Sequence, residues 1–172
     1  MDVFLQKTGR EDAGILANMY AFYLHDLTAY TDSLKENEAG MYEFESFSLF
    51  WKREGVNPYF IIVDGERAGF VLLLEPPFTK KLNYVINDFF VYNRFRGKGI
   101  AIRAAEAIFE GRSGSYLVAQ LTRNERAIAF WRKVYDRCGI DYDEYEDEED
   151  GEAILCQEFM ITNSKLEPDS NE

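Results

Sequence analysis

The chain has 172 residues, of which 47% are hydrophobic and 16% aromatic, enough to bury the core of one globular domain. Its formal net charge of −12 argues against a general nucleic-acid binder, and no apolar run approaches the roughly 20 residues that a bilayer-spanning helix needs. The first residues, Met1 to Phe4, lack the basic start and apolar core of a secretion signal, and Cys138 and Cys156 have neither metal-ligand spacing nor the numbers for a disulfide scaffold. The expectation is a reduced, cytoplasmic protein with no nucleic-acid or membrane partner.

Residues 3–7 read as a short first strand, and residues 12–30 carry Ile15, Leu16, Met19, Tyr20, Tyr23, Leu24 and Leu27 at helical spacing. A loop is expected over 32–40 and a short aromatic-rich helix over 42–53. Strands over 59–63 and 67–74 flank Asp64-Gly65, a dipeptide that favours tight hairpin turns. Residues 82–91 are apolar on both faces, which suits a central strand. A helix over 99–110, a strand over 115–121 and a helix capped by Asn124 follow, the last running to Tyr135 or Cys138. Strands over 140–145 and 153–161 close the order as a hairpin around an acidic turn. This alternation predicts an α/β (α+β) class protein with a mixed sheet of about six or seven strands flanked by about four helices. The division expected is one domain over 1–163 and a polar tail over 164–172.

The segment from Asn87 to Ala101 carries the chemistry. An apolar strand enters a short basic turn, Arg94-Phe95-Arg96-Gly97-Lys98-Gly99, and a helix-forming stretch begins at once. That order builds a nest of backbone N–H groups at a helix start, which can hold a pyrophosphate without a metal. The glycines matter because a side chain there would keep phosphates off the backbone. The dinucleotide fingerprint fails, because Ile102 stands where its third glycine belongs, and the longer nucleotide P-loop with Lys-Ser or Lys-Thr is absent. An ordinary turn is the plainer alternative for these glycines.

Arg94-x-x-Gly97-x-Gly99 after a Phe-Phe-Val strand resembles the acyl-CoA signature of the GNAT N-acetyltransferase superfamily. Asn124-x-x-Ala127-x-x-Phe130-Trp131-x-Lys133 resembles that family's second motif, Asn-x-x-Ala-x-x-Phe-Tyr-x-Lys, one strand later. A bacterial subgroup with an acidic-Phe-Phe-Val strand and Phe-Trp in the second motif is the nearest likeness. The resemblance implies the GNAT fold and acetyl-CoA as cosubstrate, with no metal. It implies that backbone amides of Arg96, Gly97, Lys98, Gly99, Ile100 and Ala101 cradle the pyrophosphate, with Arg94, Lys98 and Arg103 as outer contacts. The pantetheine arm would lie along Phe89, Phe90 and Val91, the amide of Phe90 or Val91 would polarise the thioester carbonyl, and Asn124, Phe130 and Trp131 would contact the pantetheine and thiol end.

The acceptor amine must lose a proton to attack, and a nearby carboxylate is the simplest base. Asp88 is the one acidic residue of the fourth strand and resembles the acidic residue before Phe-Phe-Val in spermidine/spermine acetyltransferases. It is the candidate base or substrate anchor. The other reading is a buried carboxylate tied to backbone N–H groups at a strand distortion. Trp131 departs from the family's tyrosine, the thiolate's proton donor, because an indole N–H does not protonate a thiolate. Tyr135, one turn on, is the substitute candidate.

His25 falls in the helical region that walls the acceptor site in this fold, so it is a substrate-contact candidate, with surface placement as the alternative. The acidic run 141–152 reads either as a solvated hairpin tip or as a rim that concentrates a cationic amine. The expectation is therefore N-acetyl transfer to a small cationic or peptidyl primary amine by direct attack, in a chain that resembles often-dimeric proteins and is a homodimer candidate. The alternative is a non-catalytic acyl-CoA-binding or interaction module on the same scaffold.

Overall fold

A computed structural model describes residues 1–162 of the chain. The expected domain boundary after 163 and the tail 164–172 lie outside the described residues. The strands are β1 (Val3–Lys7), β2 (Val56–Val63), β3 (Glu66–Leu74), β4 (Tyr84–Val91), β5 (Gly114–Leu121), β6 (Tyr142–Glu149) and β7 (Glu152–Ile161). The helices are α1 (Ala13–Leu27), α2 (Ile100–Phe109) and α3 (Glu125–Cys138). All seven strands join one sheet in the order β1-β2-β3-β4-β5-β7-β6. Every neighbouring pair is antiparallel except β4 and β5.

Local chemistry explains several joints. Asp64 and Gly65 take φ of 47° and 83°, the left-handed pair that a tight β2–β3 hairpin requires. Asn124 caps α3 by accepting from the Ala127 N–H at 3.1 Å, and Gly139 ends it at φ 61°. As expected, β4 sits in the middle of the sheet. One face packs Val71, Ile86, Tyr116 and Val118 under α2 and α3, through Ile100, Ile108, Trp131 and Tyr135. The other packs Phe60, Phe70, Leu72 and Phe90 under Leu16, Met19 and Tyr20 of α1. Each such side chain stabilises the fold by about 1.5–3 kcal/mol when fully buried.

Two expected elements differ. The helix over 42–53 is absent: only a single 3-10 turn, Phe47–Leu49, forms there. Its aromatic and serine residues are indifferent helix formers, and Phe44, Phe47 and Phe50 gather instead around the Tyr20 ring. Three α-helices are therefore described rather than four. The acidic run is mostly strand, with the turn confined to Asp150 and Gly151. Among the described residues β6 pairs with β7 alone, so an apolar alternation was never needed, and its charges guard that sheet edge. No helix of the described residues is long and apolar enough to cross a membrane.

The feature that positions the site is the meeting of β4 and β5. They pair only from Tyr84 to Ile86 against Tyr116 to Val118. Beyond that point β4 remains bound to β3 and β5 to β7, so the two strands part and leave a notch. A bulge begins the separation: Leu72 faces Asp88 and Leu73 faces Ile86, leaving Asn87 as the extra residue.

Candidate active site

The notch opens into a cavity of about 330 Å³ whose wall includes Tyr23, Phe89, Phe90, Gly97, Asn124 and Trp131. A second cavity of about 200 Å³ continues past the notch, between Asn87, Gln120, Glu149 and Ile154. Gly97 and Ala101 place the glycine turn and the start of α2 on the first cavity's wall.

At that turn Gly97 and Gly99 take φ of 75° and 76°, and a Cβ on either would meet nothing within 4 Å. The space over the turn is open, and backbone geometry is what demands glycine. The first helical bond of α2 runs from the Arg103 N–H to the Gly99 carbonyl at 3.2 Å, so the amides from Gly99 to Ile102 are helix-start donors. The Arg96 amide is spent on the Asn93 carbonyl at 3.1 Å, which corrects the expected row of donors at its first member.

The basic side chains are mostly engaged. Arg96 donates through Nε to the Val91 carbonyl at 2.7 Å and through its terminal nitrogen to Asp26 at 2.5 Å. Arg94 pairs with Glu66 and stacks on Phe95, while Arg103 donates to the Met1 carbonyl at 2.9 Å. Lys98 is exposed. Arg126, which sequence reasoning missed, lines the cavity from the first turn of α3. Its position two residues after the Asn124 cap was the available signal.

β4 contributes its backbone as well as its side chains. The Tyr92 N–H points at β3, donating to the Ala68 carbonyl at 2.8 Å. Backbone direction alternates along a strand, so the Phe90 amide also faces β3 and the Phe89 and Val91 amides face the notch. The Phe89 ring leans on Phe130 and Trp131, with centroids 5.4 and 5.5 Å away. Phe130 and Trp131 both line the first cavity, as does Asn124 beside them.

Asp88 is buried, yet it is not tied to backbone N–H groups. Tyr20 donates to Oδ2 at 2.7 Å, Tyr23 to Oδ1 at 2.9 Å and the Asn87 amide to Oδ2 at 3.2 Å. Burial raises the carboxyl above its ordinary range, against the lowering effect of those three donors. Burial and the Asp88 charge likewise push both phenols well above their usual value. Asp88 lines neither cavity, whereas Tyr23 lines both. Tyr20 and Tyr23 were legible only as apolar-face residues of a helix. An i, i+3 tyrosine pair opposite a lone strand aspartate was the signal to follow.

Two expected site residues lie elsewhere. Tyr135 is fully buried, its hydroxyl donates to Gln157 Oε1 at 3.0 Å, and burial pushes its pKa far up. It lines neither cavity, so the structure places it in the core and not at a thiol site. His25 is exposed with its ring against Tyr42 at 5.8 Å, also outside both cavity walls. The two cysteines lie off the cavity walls too, and burial raises both thiols.

The model of the acetyltransferase (GNAT) family matches residues 19–135. An aminoglycoside acetyltransferase, AAC(6')-Ib, solved with coenzyme A, superposes with a TM-score of 0.65 at 14% identity, covering 96% of this chain and 97% of that one. A GNAT-family acetyltransferase from Streptococcus pneumoniae gives 0.57 at 15% identity over 93% and 100% of the two chains. A chain of the NatC complex bound to Gag peptide and CoA gives 0.59 at 14% identity, over 94% and 100%. At these identities the likeness shows the fold. No curated protein matches the sequence.

Proposed function

The chain belongs to the acetyltransferase (GNAT) family, and from that premise we propose that it transfers an acetyl group from acetyl-CoA to a primary amine. The observation that carries this reading is the parted β4–β5 pair, with the amide-rich Gly97–Gly99 turn on the same cavity. The turn suits coenzyme A, since a pyrophosphate needs an open approach to backbone donors and the glycines leave one. Residues Gly97, Lys98, Gly99, Ile100 and Ala101 would hold the pyrophosphate, with Lys98 and Arg126 as nearby cations. Arg96 braces the turn against α1 through Asp26.

When bound, the thioester supplies an activated acyl carbon. The Val91 amide, facing the notch, is the donor aligned to polarise its carbonyl. Phe89, Phe130 and Trp131 form the apolar wall for the thiol end and exclude water there. Direct attack in a ternary complex is favoured because neither cysteine reaches the cavities. The second cavity has Glu149 at its edge, and β6 beyond it is acidic, which favours a small cationic or peptidyl amine. Thiol release from acetyl-CoA across an amine panel tests the reading, and no turnover with any amine despite CoA binding would reject it.

A second reading, a non-catalytic acyl-CoA-binding module, is favoured by one observation. Trp131 stands where the family's tyrosine belongs, and the Tyr135 hydroxyl is held by Gln157. It predicts that acetyl-CoA raises the melting temperature while Asp88→Asn leaves no activity to lose.

A further inference from the structure

The two cavities share six wall residues: Tyr23, Leu27, Phe89, Asn124, Ala127 and Trp131. Their junction lies at the parted strands, where acyl donor and amine must meet if the proposed function holds. Of the six, Tyr23 alone carries a side chain that titrates in water. Its hydroxyl donates to Asp88 Oδ1 at 2.9 Å. A phenol that gives its hydrogen to a carboxylate turns its oxygen lone pairs the other way. Asp88, among the described residues the only carboxylate in contact with this hydroxyl, sits one layer behind and is reached from the cavities through Tyr23.

We propose that Tyr23 is the group that receives the amine's proton and relays it to Asp88, so that the carboxylate acts through the phenol rather than on the substrate. This rests on the acetyltransfer reading above. As the amine nitrogen bonds to the thioester carbonyl carbon, the C–S bond breaks with its electron pair on sulfur. The surplus N–H proton passes to Tyr23 Oη while the phenolic proton passes to Asp88 Oδ1. Tyr23 ends neutral, Asp88 ends as the acid, and the thiolate leaves as an anion that solvent can protonate. No oxidant, metal or further reactant is required.

The surroundings support the assignment. Tyr20, from the same helix, and Asn87, from the bulge, hold Oδ2 and leave Oδ1 to Tyr23. Of the charged residues on the first cavity's wall, Asp26 and Arg96 pair with one another and Arg126 is the third, while Glu149 lines the second cavity. The raised affinity of the buried carboxyl for a proton makes it a better sink than a surface aspartate. The Phe70 and Phe90 rings flank Tyr23 at 5.7 and 6.3 Å and pack against its ring.

The test compares wild type, Tyr23→Phe, Asp88→Asn and the double variant for CoA affinity, kcat and its pH profile. CoA affinity is expected to stay within about threefold in Tyr23→Phe. Its kcat should fall about 100-fold, as for loss of a general base, and climb with pH where the wild-type rate is level. The double variant should be no slower than Asp88→Asn. A carbon-detected NMR titration of Asp88 reads the contact without turnover: Tyr23→Phe removes a donor and should raise the carboxyl's pKa further. If wild type releases no thiol with any amine, the acetyltransfer reading fails. If wild type turns over and Tyr23→Phe keeps its kcat, the relay alone is overturned. Should Tyr23→Phe not fold, Asp88→Asn, which keeps the phenol, is set against wild type: a kcat about 100-fold lower that climbs with pH supports the relay, and an unchanged kcat overturns it.

Discussion

The Tyr20 hydroxyl lies 2.7 Å from Asp88 Oδ2, joining α1 to the bulged strand across one face of the sheet. This bond holds a carboxylate in a buried place, and it links stability to pH. In the unfolded chain Asp88 ionises near the ordinary value of 3.8, whereas in the fold it ionises at higher pH. A raised carboxyl pKa means that the folded state binds a proton more tightly than the unfolded one. Asp88 therefore costs stability increasingly as pH rises from the ordinary range through its folded value. Tyr20→Phe removes a donor to the charged form. It should lower unfolding free energy at neutral pH by about 1.5–3 kcal/mol, and by much less once Asp88 is protonated in both states. Urea unfolding at several pH values checks this, and a pH-independent loss would contradict it.

Gly97 and Gly99 should behave differently from Gly69. An alanine at either turn position meets no neighbour, so its cost is the left-handed backbone alone, about 1–2 kcal/mol. The expected outcome is a melting temperature lowered by only a few degrees but a CoA dissociation constant raised at least tenfold, because the methyl projects into the open approach. At Gly69 a Cβ would sit on the Phe90 carbonyl oxygen in the neighbouring strand. Gly69→Ala should cost far more stability, with any CoA loss following from unfolding. Thermal melts and calorimetry on the three variants separate the cases.

Asn124 has two duties that a pair of substitutions can part. Its oxygen caps α3, a contribution of about 0.5–2 kcal/mol, while its side chain also lines both cavities. Asn124→Asp keeps the cap and loses the amide donor, so stability should hold while CoA affinity falls. Asn124→Ala should lose both.

Tyr135→Phe should alter stability rather than catalysis. It deletes the bond to Gln157 and leaves a buried amide oxygen with one donor fewer, a loss of about 1–3 kcal/mol. With thiol release measured well below the melting temperature, kcat should stay within twofold of wild type. A hundredfold fall in kcat would restore Tyr135 as a proton donor.

What was legible beforehand follows the range of the forces involved. The hairpin at Asp64-Gly65, the Asn124 cap and the Gly97–Gly99 turn are written in a few adjacent residues, because φ angles and orphan amides are local matters. The segment 42–53 misled because its aromatics answer to the Tyr20 ring across space and not to their own helix period. The acidic strand β6 hid for a related reason, since an edge strand can take its pairing from β7 alone.

The sequence by itself pointed to the family through the resemblance of its two motifs, to most of the element order through apolar spacing, and to the turn suited to a pyrophosphate through local backbone chemistry. Only the tertiary structure decided where the candidate site sits. It set the notch by ending the β4–β5 register at Ile86 and Val118, and it turned the Val91 amide towards that opening. It also brought Tyr20 and Tyr23 onto Asp88 from 68 and 65 residues away. Strand register and the docking of a helix on a sheet depend on the whole core at once, and no short window of sequence contains them.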